Sequence, residues 1–125
     1  MRIFLMAAMV LTGLYLSGCT SIPSNPNLTG TWAYTLTESK NEKEFQGRMR
    51  LTQSVYELSG KANDAFGEFI VSGNVQGPKF NLDFVKSDKS LKYKWKVSMT
   101  SFDTFEGTFT TSSGYSGGVT ASRVK

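Results

Sequence analysis

The chain has a single cysteine, Cys19, and no histidine. A thiolate is a strong nucleophile, open to alkylation, acylation or metal binding, but a lone cysteine forms no disulfide within its own chain. Without histidine, the commonest general base and metal ligand is missing. Asp83, Asp103, Glu57, Glu68 and Glu106 fall mostly on outward strand positions or strand ends, where solvation is expected rather than pairing in a cleft. No glycine-rich loop leads into a helix, so no phosphate cradle is predicted. The reading is therefore of a non-enzyme with no catalytic residue, metal or cofactor. Two cationic features remain. Lys92, Lys94 and Lys96 alternate along one strand face, with Lys79 and Lys86 on the preceding run. Such a stripe fits anionic headgroups, phosphates or an acidic partner, and it also keeps a β surface soluble. Arg123 shares its phase with Val119 and Ala121, which turns its guanidinium inward, where an aromatic face and backbone carbonyls must compensate it.

The surroundings of Cys19 give it a role. Arg2 precedes an apolar run from Ile3 to Leu16, broken only by Thr12 and Gly13. That length suits the apolar region of an export signal and falls short of the roughly 20 residues of a membrane span. The run ends in Leu16-Ser17-Gly18-Cys19, which resembles a bacterial lipobox. The resemblance implies that the Cys19 thiol receives a diacylglycerol, that a dedicated peptidase cuts before it, and that the new amine is acylated. Residues 1–18 are then a signal peptide, and Cys19 anchors the mature chain in a membrane. In the proteobacterial lipoproteins it resembles, a residue other than Asp after the cysteine, here Thr20, favours the outer membrane. Residues 19–28 are polar, with prolines at 23 and 26, and read as a tether that spans up to about 30 Å when extended. The charge of +4 includes Arg2, so the mature form is only mildly basic, and an exported, tethered domain is not expected to meet nucleic acid.

Residues 29–125 must supply the rest, and they alternate with period two, the pattern of half-buried antiparallel strands. Eight runs are predicted: 30–37, 45–53, 56–63, 66–75, 79–86, 91–100, 103–111 and 117–124. The clearest sets Leu91, Tyr93, Trp95, Val97 and Met99 against Lys92, Lys94, Lys96 and Ser98. Tyr56 and Leu58 are expected to be buried together. The links between runs are short and polar, with no room for a crossover helix, so neighbours pair as hairpins. An all-β, up-and-down meander of eight strands closed into a small barrel follows, with a two-sheet sandwich as the alternative. Gly47, Gly60, Gly73 and Gly107 fall on inward positions, where a missing side chain permits a sharp bend.

Gly30-Thr31-Trp32 at the start of the first run, with Arg123 near the end of the last, resembles the calycins, the lipocalin, fatty-acid-binding protein and avidin barrels. There a Gly-x-Trp opens the first strand and a basic residue from the closing strand packs on the indole. The resemblance gives Gly30, Trp32 and Arg123 a structural role in closing one barrel end. Streptavidin also begins Thr-Gly-Thr-Trp, but its ligand site needs several inward polar groups and more tryptophans than the two here, so biotin binding is not implied. An eight-stranded barrel is either filled by side chains or holds one small ligand. The many inward aromatic residues favour a filled core, and any cavity would suit a lipid or other apolar ligand.

Three functions are compatible with this reading. The first is an envelope lipoprotein that binds an apolar ligand or an envelope component. The second is a protein-interaction or inhibitor module, since small periplasmic inhibitors of lysozymes and metalloproteases share the barrel form, although their usual disulfide is impossible here. The third is a passive structural protein of the envelope.

Overall fold

The structure, a computed structural model, describes Ile22 and residues 24–125. Cys19, the expected signal segment and residues 20, 21 and 23 of the expected tether lie outside the described residues. Eight strands follow one another: β1 Gly30–Glu38, β2 Glu44–Ser54, β3 Glu57–Asp64, β4 Gly67–Val75, β5 Lys79–Lys86, β6 Lys92–Met99, β7 Thr104–Thr111 and β8 Ser116–Arg123. Each pairs antiparallel with the next, and β8 returns to β1 to close the barrel. The sandwich alternative is thereby excluded. No helix among the described residues is long and apolar enough to cross a membrane.

Alternation builds this wall. β5 buries Phe80, Leu82 and Phe84 and exposes Lys79, Asn81 and Asp83, while β6 buries Tyr93, Trp95, Val97 and Met99. Closing so few strands into a ring demands tight curvature, and inward glycines allow it. At Gly60 and Gly107 the carbonyl oxygens of Arg50 and Lys96 on the neighbouring strands stand where a side chain would begin. Any other residue would push the two strands apart there.

The middle of the barrel is filled. Trp95 stacks on Phe84 at 4.3 Å between centroids and meets Tyr34 edge-on at 5.0 Å, and Phe105 bridges to Trp32 at 5.0 Å. Offset and edge-on contacts of this kind add to the burial energy of the rings. Among the described residues one buried side-chain polar group is left over: Trp95 Nε1 has no hydrogen-bond partner there.

Three sequence expectations need correction. Tyr56 is 53% exposed because Val55 and Tyr56 form the turn between β2 and β3, with Ser54 opposite Glu57 and Val55 in the left-handed region at φ 59°. Lys86 does not join the outer lysine stripe. It follows the inward phase of Phe80, Leu82 and Phe84, and its aliphatic chain lies over Gly67. Asp103 is paired rather than free, 2.9 Å from both Arg123 and Lys125.

Candidate functional site

The two ends of the barrel are built differently. At one end Trp32 on β1 lies opposite Arg123 on β8 across the closing ladder, so the side chains are neighbours by register. The guanidinium carbon sits 4.5 Å from the centre of the indole ring. Arg123 Nη1 donates to the Thr29 carbonyl at 2.9 Å, and Nη2 donates to those of Asn27 at 2.9 Å and Phe102 at 3.2 Å. Nε donates to Asp103 Oδ1 at 2.9 Å. Hydrogen bonds from Lys125 and then Arg123 hold the Asp103 carboxyl below its ordinary value. Below the ring, Trp32 Nε1 donates to the Leu28 carbonyl at 2.9 Å. Leu28 itself is fully buried, and its N–H donates to Gln53 Oε1. The last residues before β1 thus cap this end instead of hanging free. Gly30, at φ 140°, lies against Arg123, whose Nη1 would be 3.2 Å from an added Cβ.

The other end is open. It is bounded by the loops after β1, β3, β5 and β7, and it contains a pocket of about 360 Å³. Its walls are mostly apolar and aromatic, drawn from Leu36, Phe45, Phe66, Leu91, Tyr93, Phe109 and Tyr115. Small-molecule sites typically occupy ~300–1,000 Å³, with apolar walls and a few placed polar groups. The polar residues here are Glu38, Asn41, Lys43, Thr111 and Ser113. Glu38 continues the inward phase of Trp32, Tyr34 and Leu36 and is only 5% exposed. Asn41 Nδ2 donates to its Oε1 at 2.9 Å. Among the described residues no lysine or arginine comes within ion-pair distance of it, both ion pairs being made by Asp103.

Deeper in the mouth lies a second inward carboxylate. Tyr34, Gly47 and Asp64 stand abreast on β1, β2 and β3. Because Gly47 has no side chain, the Tyr34 ring folds across it, and a Cβ there would come within 2.5 Å of Tyr34 Cζ. The ring so placed lets Tyr34 Oη donate to Asp64 Oδ2 at 2.8 Å, and Tyr93 Oη donates to the same oxygen at 3.2 Å. Burial, then the Asp64 charge and hydrogen bond, pushes both phenols well above their ordinary value. They stay protonated donors, and the network fixes both rings against Asp64.

Lys92, Lys94 and Lys96 are exposed on the outside of β6. Across the ladder Lys94 faces Asp83 on one side and Thr110 on the other, and the stripe stands apart from the mouth pocket. A larger depression, about 760 Å³, also lies outside the barrel, bordered by Ala33, Thr35, Arg48, Thr104 and Ser122. It is an open surface groove on which no buried polar group converges. The residues missed in the sequence are Glu38 and Asp64. Each continues an inward apolar phase by one step beyond the predicted end of its strand, and that phase was the available signal.

These features define a small calycin-like barrel with one plugged and one open end. No protein-family model matches the chain, and no curated protein does either. Several solved structures share the fold, among them designed barrels. A de novo designed fluorescence-activating β-barrel aligns with a TM-score of 0.62 at 22% identity, over 77% of this chain and 93% of its own. A redesigned β-barrel reaches 0.66 at 24% identity, over 78% and 92%. Another, bound to DFHBI, reaches 0.56 at 23% identity, over 77% and 98%. Likeness at this identity establishes the eight-stranded barrel fold alone.

Proposed function

We propose that this chain is a lipid-anchored, non-catalytic binding module of the cell envelope that takes an apolar small ligand into the mouth of its barrel. The mouth pocket carries this reading. It is concave, largely apolar, and set on rigid strands around a filled core, as small-molecule sites are. The redesigned barrel bound to DFHBI supports it as a precedent for small-ligand binding in a barrel of this form. The anchor rests on the lipobox resemblance at Leu16–Cys19, with the periplasmic face of the outer membrane as its place in a Gram-negative cell. The chain enters β1 across the plugged end, where Asn27 and Leu28 are held. A lipid on Cys19 is therefore joined to the barrel at that end, opposite the mouth.

Native mass spectrometry of the full-length gene product, purified in mild detergent from its own host, tests both halves. The expected spectrum shows a chain beginning at Cys19 with added acyl mass, plus a small-molecule adduct that is lost when Leu91→Trp fills the pocket. An unmodified N-terminus refutes the anchor, which Cys19→Ser should otherwise release into the soluble fraction. The pocket reading fails if no adduct forms with the native protein or with added apolar probes, or if the adduct survives Leu91→Trp.

A further inference from the structure

Within that pocket reading, on which the following rests, Glu38 is out of keeping with a site for a purely apolar ligand. Its side chain leaves the inward face of β1 into a wall of Leu36, Phe45, Phe109 and Tyr115, it is 5% exposed, and no lysine or arginine among the described residues lies within ion-pair distance of it. A carboxylate taken that far from water without a counter-charge costs free energy that a cationic partner would recover. The neighbouring groups also favour positive charge. Aromatic ring faces attract cations, and several rings around one space form the usual cage for alkylammonium groups. Phe45 and Phe66 pack together at 4.8 Å between centroids, while Tyr93 and Tyr115 complete the aromatic lining. Tyr93 in turn donates to Asp64, so a second anionic group stands behind the wall. Lys43 is the one cation among the described residues lining the pocket, and it is exposed.

We infer that the mouth pocket selects organic cations: small amphiphiles with an alkylammonium or similar head, the head held by Glu38 and the aromatic rings and the apolar body by Leu36, Leu91 and Phe109. Glu38 is the specificity determinant, because it is the one carboxylate among the described residues lining the pocket. Lys43 opposes the ligand's charge from the rim.

Isothermal titration of the full-length protein in one non-ionic detergent background, with octyltrimethylammonium, octanoate and octanol, separates charge from apolar affinity. The expected order places the ammonium at least tenfold tighter than the other two. Glu38→Gln keeps an acceptor for Asn41 and should lower ammonium affinity about tenfold while leaving octanol unchanged. Tyr115→Ala, at an exposed position where folding is not at stake, should also weaken the ammonium. Lys43→Gln should strengthen it. Equal binding of the three probes, or an ammonium affinity indifferent to both Glu38→Gln and Tyr115→Ala, overturns the cation inference while the apolar pocket stands. Binding of none of the three overturns both.

Discussion

Replacing Arg123 by methionine keeps an unbranched side chain of similar reach and removes only the guanidinium. Three hydrogen bonds to the carbonyls of Thr29, Asn27 and Phe102 are lost, each worth about 1 kcal/mol net, together with the ion pair to Asp103, which as a solvent-exposed pair adds little. The contact with the Trp32 ring at 4.5 Å contributes about 1 kcal/mol more. The side chain is 22% exposed, so water re-solvates part of what is freed, and the expected loss is about 3 kcal/mol rather than the full sum. For a domain of this size that lowers Tm by roughly 12–24 °C. Arg123→Lys keeps the charge but cannot reach three carbonyls at once, and it should recover only about a third of the loss. Urea unfolding followed by tryptophan fluorescence measures both variants. A methionine variant within about 0.5 kcal/mol of the parent, the range of an ordinary surface substitution, would refute the view that this residue plugs the barrel. Full rescue by lysine would show that charge alone matters and the forked geometry does not. Ligand affinity at the opposite mouth should be unchanged in every folded variant, because distant sites act additively.

Gly47→Ala forces Tyr34 off Asp64, since the new methyl would lie 2.5 Å from Cζ and 2.7 Å from Asp64 Cβ; denaturant titration should show a loss of about 2–3 kcal/mol, the range for breaking a hydrogen bond to a charged group and its packing, and a smaller loss in a Tyr34→Ala background. The folded protein holds the protons of Tyr34 and Tyr93 more tightly than the unfolded chain, so their stabilisation is complete below the ordinary tyrosine range and is lost as pH rises above about 10. Tyr34 alone should add a slope of about 1.4 kcal/mol per pH unit there, Tyr93 acts in the same direction, and Tyr34→Phe should flatten the alkaline unfolding profile. Trp95→Phe removes a buried donor that has no partner among the described residues, whose burial costs about 1–3 kcal/mol; this offsets the lost ring volume, so calorimetry should find stability within about 1 kcal/mol of the parent, and a loss above about 3 kcal/mol, the scale of deleting an aromatic side chain, would mean that the indole N–H is satisfied after all.

The barrel wall was legible because each strand has one dry face, and period-two alternation is the direct imprint of that asymmetry. Closure was less so: the same eight runs serve a barrel or a sandwich, and what separates them is curvature, carried by inward glycines such as Gly60 and Gly107 whose neighbouring carbonyls take the place of a side chain. Tyr56 was misread because an aromatic residue in phase with Leu58 resembles core, whereas Val55 and Tyr56 are needed for the turn between two paired strands. The candidate pocket was hidden for a related reason. Glu38 and Asp64 each extend an inward face by one residue beyond its last apolar or small member, Leu36 or Ala62. A polar residue at that point looks like the start of a loop, so the strand is cut short and the carboxylate assigned to solvent. In a closed barrel the inward positions at the strand ends form the lining of the mouth, which is where a polar group meets a ligand. A boundary error of one residue, harmless to the fold, therefore fell on Glu38, which lines the mouth, and on Asp64, which stands behind its Tyr93 wall.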